Sequence, residues 1–132
     1  MIFISHNLAL IGQLADRILV MYGGLVMEEG PAAEVLAKPR CPYTRALLNA
    51  LPAWGSSYVK EALATIPGAV PDPTRPEPGC PFAPRCPLVV DGCRQRIPPF
   101  VRDSNGDQAP ITSPEETLEA SGYRCIFPGV KM

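Results

Sequence analysis

The stretch "RILVMYGGLVMEE", residues 17–29, decides how the first part of this chain folds. Two short apolar runs flank the pair Gly23 and Gly24. Consecutive glycines supply the positive φ angles that a two-residue turn between antiparallel strands requires. The stretch therefore predicts a β-hairpin that turns at the glycines. We expect Glu28 and Glu29, on its second strand, to lie on a solvated surface.

Helical patterns flank the hairpin on both sides. Between residues 7 and 15 apolar residues recur at three- and four-residue spacing, which predicts a helix capped by Ser5 or Asn7. After the hairpin, "PAAEVLA" at 31–37 and "YTRALLNAL" at 43–51 predict two further short helices. Proline is favoured in the first turn of a helix, so it is compatible with the start of the earlier one.

The chain opens with "MIFISHN", residues 1–7. "MIFI" is apolar on both faces, which predicts a central strand of a covered parallel sheet. His6, the only histidine, directly follows this predicted strand. Open α/β sheets bind ligands at the carboxyl ends of their strands, where a histidine can donate a hydrogen bond to a phosphate oxygen. The same position also suits a histidine that caps a helix or meets solvent.

The distribution of proline divides the chain. None of the 17 prolines lies in residues 1–30, whereas ten lie between Pro67 and Pro99. Proline lacks a backbone N–H and disrupts helix interiors and central strands. We therefore expect an α/β beginning followed by an extended, turn-rich segment. The length of 132 residues suits one modest domain or two small subdomains.

Charge and hydropathy exclude some functions. The net charge of −1 argues against a general nucleic-acid-binding protein. Gln13, Asp16 and Arg17 interrupt the longest apolar stretch, so no membrane span is expected. The first residues also lack the basic start of a signal peptide. We therefore expect a reducing compartment, in which cysteines serve metal or redox chemistry more often than disulfides.

Four of the five cysteines, Cys80, Cys86, Cys93 and Cys125, are the candidate metal ligands. Their spacing contains none of the two-residue gaps of common zinc knuckles. Prolines follow the first two cysteines and stiffen the backbone there. Arginines adjoin them, and positive charge favours thiolates. Four thiolates suit an iron–sulfur cluster, and zinc, free thiols and disulfides remain open as alternatives.

Residues 2–31, "IFISHNLALIGQLADRILVMYGGLVMEEGP", resemble the segment that follows the catalytic core in the ATP-binding subunits of ABC transporters. In that family a strand ends at the switch-loop histidine, and a helix and a hairpin follow. The resemblance implies that His6 is this histidine. It would contact the γ-phosphate of ATP and help to position the attacking water, so that charge developing during phosphoryl transfer is stabilised.

Two stretches further along the chain narrow the resemblance to one subfamily of ABC transporter ATPases. "KPRCPYTRALLNALP" at 38–52 and "GCPFAPRCP" at 79–87 resemble the ATPases of the dipeptide, oligopeptide and nickel importers. Cys41 stands where this subfamily usually has histidine. Some members carry a 4Fe-4S cluster in this C-terminal extension. The resemblance, which covers residues 2–128, thus favours a 4Fe-4S cluster over zinc on the four candidate cysteines, with Cys41 a plain thiol outside the ligand set.

The resemblance implies an α/β fold. Residues 1–52 would form the C-terminal edge of an ABC-type P-loop ATPase core, and residues 53–132 a proline- and cysteine-rich irregular extension. No phosphate-binding loop sequence is present, so we expect a C-terminal portion that is inactive alone. ATP with Mg²⁺ would be used by the intact subunit.

The implied partners are a homologous ATPase subunit, two transmembrane permeases and, indirectly, a peptide-binding protein, with no nucleic acid. The implied location is peripheral, on the cytoplasmic face of the inner membrane. Dipeptides, oligopeptides and nickel all remain possible cargoes. The alternative is a stand-alone module that binds a metal or an iron–sulfur cluster and has no nucleotide role.

Overall fold

The computed structural model describes residues 1–51, 65–72, 74–75, 78–103 and 121–126. Its central element is the predicted hairpin, formed by β1 (Arg17–Tyr22) and β2 (Leu25–Pro31). Gly23 and Gly24 turn the chain with φ angles of 56° and 78°. The hairpin prediction is therefore confirmed, including the position of its turn and the reason for the glycines there.

Two three-residue strands extend the hairpin into a sheet. They are β3 (Val101–Asp103) and β4 (Ser121–Tyr123), and the order across the sheet is β1-β2-β4-β3 with antiparallel pairing throughout. In the register, Glu28 of β2 lies opposite Tyr123 of β4. The mixture of helices and sheet agrees with the predicted α/β class at that coarse level. The proposed division between residues 52 and 53 stays a prediction, although strand pairing joins the two sides of it.

The described residues include five short helical segments. The helices α1 (Leu8–Leu14), α2 (Ala32–Ala37) and α3 (Pro42–Asn49) confirm the three helices expected in the first half of the chain. A 3₁₀ helix (Ala83–Arg85) and α4 (Asp91–Gln95) follow in the proline-rich part. The helix α4 was not predicted from the sequence, because it forms in a stretch between two prolines.

The start of α1 shows how a side chain sets a helix boundary. The side-chain Oδ1 of Asn7 accepts a 3.1 Å hydrogen bond from the backbone N–H of Leu10. This bond satisfies one of the N–H groups that have no partner within the helix. Ser5 Oγ accepts from the backbone N–H of Asn7 at 3.0 Å. Asn7 is thus the cap, which resolves the choice between Ser5 and Asn7.

The predicted strand at residues 1–4 is wrong. These residues form neither a helix nor a strand, and Ile2 and Ile4 are 91% and 98% exposed. A central strand requires hydrogen-bonding neighbours on both sides. In the described part of the chain, the strands pair only among β1 to β4, so an apolar composition alone is insufficient to form this strand.

The buried side chains form two groups. The first, between the hairpin and α2, contains Ile18, Val20, Ala32 and Val35. The second joins the hairpin to the cysteine-rich part and contains Tyr22, Met27, Cys41 and Phe82. In this second group the rings of Tyr22 and Phe82 meet edge to face, with centroids 5.6 Å apart. Aromatic packing therefore fixes the proline-rich part against the hairpin. Within the described residues, no helix is long and apolar enough to cross a bilayer.

Candidate functional site

Five thiols line one small cavity of about 20 Å³ between the hairpin, α3 and the proline-rich part. Four of them are the candidate ligands, and the fifth is Cys41. Prolines and apolar side chains complete most of the wall. The structure thus brings together residues that are far apart in the sequence: Cys41, Cys80, Cys86, Cys93 and Cys125.

The 3₁₀ helix places Cys80 and Cys86 at its two ends. The carbonyl of Cys80 accepts a 2.9 Å hydrogen bond from the N–H of Ala83, and Cys86 donates to the carbonyl of Ala83 at 3.3 Å. Pro84 occupies the first turn, where its fixed φ suits a helix and no N–H is needed. The prolines expected to stiffen this segment therefore do so by supporting a tight turn between two ligand candidates.

Cys93 lies in α4, directly against Cys80. The N–H of Cys80 donates a 2.7 Å hydrogen bond to the carbonyl oxygen of Cys93. Gly79 makes this approach possible, because a Cβ at that position would lie 2.3 Å from the same oxygen. Gly79 was not among the site residues predicted from the sequence. The signal available was a glycine immediately before a predicted ligand, which often marks a close backbone approach.

Arg124 fixes the position of Cys125. Its backbone N–H donates to the carbonyl of Met27 at 2.7 Å, and its side-chain Nε donates to the carbonyl of Val26 at 3.0 Å. Its Nη1 donates to the carbonyl of Pro98 at 2.8 Å. One arginine therefore links β2 to the chain on the far side of the cavity and brings Cys125 to its wall.

Glu28 positions Cys41. Its carboxylate accepts hydrogen bonds from the backbone N–H groups of Arg40 at 2.7 Å and Cys41 at 3.1 Å, directly before α3. Glu28 is only 3% exposed, so its predicted place on a solvated surface is wrong. The strand alternation within "EE" could have indicated that one of the two glutamates faces inward. Glu29 forms a 3.0 Å ion pair with Arg102 and is itself largely buried.

Burial dominates the electrostatics of the thiols. It raises the pKa of Cys80 and Cys86, and it raises the pKa of Cys41 to about 12. The Arg124 charge opposes the rise at Cys80 but does not cancel it. Arg85, expected to favour thiolates, instead donates to the carbonyls of Ile66 and Pro67 and to the Tyr22 hydroxyl. Without a bound cation, these three thiols are therefore protonated at neutral pH.

The cysteine side chains around this cavity are chemically suited to a soft metal, because thiolates are the ligands of zinc and of iron–sulfur clusters. Among the described residues, however, no group of three or more His, Cys, Asp or Glu side chains is arranged to hold a metal ion. The cavity of about 20 Å³ has room for one water, which needs roughly 10–15 Å³, but not for a cluster of four irons and four sulfurs. Loading would therefore require the thiols to move apart around the incoming group.

A second, larger opening lies on the outer side of Cys86. It is a cleft of about 440 Å³ between the end of α3, residues 65–68 and the 3₁₀ helix. Cys86 lines both this cleft and the inner cavity. A small molecule in the cleft would therefore meet that thiol.

His6 is exposed and lies between the exposed residues 1–4 and α1. In the sequence it is far from the cysteines that line the thiol cavity. It follows no strand, so the geometry on which its ligand position was predicted is absent from the described residues. The phosphate-contact role of His6 stays a prediction from the resemblance.

One protein family matches the chain from within β2 to the last cysteine of the proline-rich part before β3. The family described as "Oligopeptide/dipeptide transporter, C-terminal region" matches residues 27–93, from β2 through Cys93. The chain belongs to this family. The match includes four of the five cysteines, among them Cys41, which the structure places on the shared cavity wall.

Curated relatives agree with this membership. The dipeptide transport ATP-binding protein DppD of Escherichia coli is 42% identical over 109 residues, which are 83% of this chain and 33% of the relative. A peptide import ATP-binding protein of Brucella ovis is 43% identical over 104 residues, which are 76% of this chain and 31% of the relative. The chain thus spans about a third of the length of the relatives it matches.

Proposed function

We propose that this chain supplies the C-terminal part of the ATP-binding subunit of a peptide-importing ABC transporter. The family match over residues 27–93 carries the proposal. It is supported by relatives that are named for dipeptide or peptide import and ATP binding. In this proposal residues 1–52 belong to the ATPase core and residues 53–132 form the extension.

The intact subunit uses ATP with Mg²⁺, pairs with a homologous ATPase subunit and docks on two permeases that receive peptides from a binding protein. It works at the cytoplasmic face of the inner membrane. The role of this chain in turnover rests on His6, whose imidazole contacts the γ-phosphate and helps to position the attacking water. A preorganised donor of this kind stabilises the charge that develops in the transition state.

The test uses the complete ATP-binding subunit that contains this chain. His6→Ala should leave ATP binding nearly intact and lower turnover by roughly 10²–10³-fold, the usual cost of losing one such donor. Gln13→Ala is the matched control, because Gln13 is an exposed residue of α1. A decrease of less than about threefold for His6→Ala would assign His6 a structural role instead.

We propose, as the cofactor role of the extension, that Cys80, Cys86, Cys93 and Cys125 bind a 4Fe-4S cluster, with zinc as the alternative. The observation that favours a thiolate site is the convergence of these four side chains on one cavity. When bound, the group supplies cross-links between parts of the proline-rich extension that are distant in the sequence. The residues of the chain contribute the ligands and, through Arg124, a positive charge beside them.

Metal analysis of chain purified without oxygen tests this role. A brown protein with about four irons per chain supports the cluster, and a colourless protein with one zinc supports the alternative. Changing any one of the four cysteines to serine should lower the metal content, whereas Cys41→Ser should retain it. An ordered chain with five free thiols and no metal would reject both groups without affecting the ATPase proposal.

A further inference from the structure

Two of the cysteines are held close together by their backbones as well as by the cavity. The N–H of Cys80 donates a 2.7 Å hydrogen bond to the carbonyl of Cys93. The covalent bonds on either side of this hydrogen bond limit the distance between the two Cα atoms to at most about 6.6 Å. Disulfide-bonded cysteines have Cα atoms about 4.4–6.8 Å apart. The backbone at this contact is therefore already within the range that a disulfide requires.

Further hydrogen bonds hold the backbone on both sides of this contact. The carbonyl of Cys80 accepts from Ala83 at 2.9 Å, and the N–H of Cys93 donates to Val90 at 2.9 Å. Gly79 is buried between the two segments, and any side chain there would collide with the Cys93 carbonyl and push them apart. Both Cys80 and Cys93 line the same cavity, and the Cys93 thiol is close enough to act electrostatically on the Cys80 thiol.

The two thiols differ in access. Cys93 is 8% exposed, whereas Cys80 is partly open to solvent. An oxidant from solvent therefore reaches Cys80 first and leaves Cys93 as the second thiol. The 3₁₀ helix separates Cys86 from Cys80, and each of these two cysteines forms a backbone hydrogen bond with Ala83 between them. Backbone contact thus favours Cys93 over Cys86 as the partner of Cys80.

We propose that Cys80 and Cys93 form a disulfide when the chain meets a two-electron oxidant of the peroxide class. The Cys80 thiol first loses its proton to solvent. The thiolate then attacks one oxygen of hydrogen peroxide, the O–O bond breaks, and the leaving hydroxide takes up a proton, so that a sulfenic acid and one water result. The thiol of Cys93 then attacks the Cys80 sulfur, an S–S bond forms, and the S–O bond breaks to release a second water. Both sulfurs are oxidised, and the peroxide is reduced to water.

This step goes beyond the transport and metal-binding proposals. It needs no metal and no nucleotide, and it removes two of the four candidate ligands. Oxidation and metal loading at this cavity therefore exclude one another. A peroxide-treated chain should fail to take up metal until a reductant reopens the S–S bond.

The experiment treats the reduced 132-residue chain with hydrogen peroxide in the presence of a chelator and then alkylates the remaining thiols. Tryptic cleavage after Arg85 and Arg94 separates Cys80 from Cys93. We expect peptides 61–85 and 86–94 to be linked with the loss of two hydrogens. Fragmentation of the linked pair should locate the bond at Cys93, and Cys41, Cys86 and Cys125 should be alkylated.

Matched variants separate the two cysteines of peptide 86–94. Cys86→Ser should form the link at a similar rate, whereas Cys93→Ser should form it more than about tenfold more slowly. A bond at Cys86, or a chain with all five thiols alkylated, would overturn the proposal. Fragmentation of the unaltered chain identifies the partner directly, so this outcome is available even if a serine variant does not fold.

Discussion

The buried carboxylate of Glu28 accepts a 3.1 Å hydrogen bond from the backbone N–H of Cys41. A second bond, from Arg40 at 2.7 Å, completes a bidentate contact. The strand β2 thereby holds the chain that enters α3 and orients the most deeply buried thiol of the cavity. Glu28→Ala should lower the free energy of unfolding by about 1–3 kcal/mol, because two backbone donors lose their partner. Denaturant unfolding at neutral pH measures this loss.

Glu28 should also make stability depend on pH. Burial raises its pKa above the ordinary value of 4.5. Below 4.5 the carboxyl is protonated in both the folded and the unfolded chain. As the pH rises from 4.5 through the folded pKa, the unfolded chain loses its proton first, so stability falls. The unfolding free energy of the natural chain minus that of Glu28→Gln should therefore decrease over this window. A difference that increases with pH would contradict the direction of the shift.

Gly79 and Gly92 form a matched pair for testing the backbone contact at the thiol cavity. A Cβ at Gly79 would lie 2.3 Å from a backbone oxygen, whereas one at Gly92 would meet Ile126 at an ordinary 3.7 Å. Gly79→Ala should cost about 1–3 kcal/mol of stability, because backbone must shift to relieve the overlap. Gly92→Ala, inside α4, should be neutral or gain up to about 1 kcal/mol. Equal effects in chemical denaturation would argue against a close approach at Gly79.

Phe82 should carry much of the attachment between the cysteine-rich part and the hairpin. It is 2% exposed and contacts the rings of Tyr22 and Tyr43. Phe82→Ala should lower stability by about 3–5 kcal/mol through lost burial and a residual cavity. Val70→Ala, at an exposed position, should change stability by no more than about 0.5 kcal/mol. Denaturant unfolding followed by tyrosine fluorescence compares the stabilities of the two variants. A similar small loss of stability in both would show that the aromatic contact is weak.

Cys41 should be the last of the five thiols to react with iodoacetamide in the native chain. It is 1% exposed, and burial raises its pKa to about 12, so little thiolate is present at neutral pH. Cys86, which lines the open cleft, should react well before it. Mass spectrometry of timed samples gives both rates. In guanidinium chloride the rates should converge, and early modification of Cys41 in the native chain would contradict its burial.

The local elements followed from the sequence because their signals lie within a few residues of each other. Gly23 and Gly24 determine the turn through φ angles that other residues rarely adopt. Apolar spacing predicted α1, and a proline at a helix start predicted α2. The motif "GCPFAPRCP" likewise indicated the family, because its residues are consecutive in the sequence. The failure at residues 1–4 has the same origin, since a strand depends on partners that four apolar residues do not specify.

The sequence by itself thus determined the hairpin, the first three helices, the family and the identity of the candidate ligands. Tertiary structure alone decided that Cys41 shares their cavity, that Glu28 is buried beneath it, and that the short strands β3 and β4 complete the sheet. The physical reason is the separation in the sequence over which each kind of interaction acts. Turn and helix propensities act between neighbours, whereas burial, strand pairing and the meeting of Cys80 with Cys93 depend on segments brought together only when the whole chain packs.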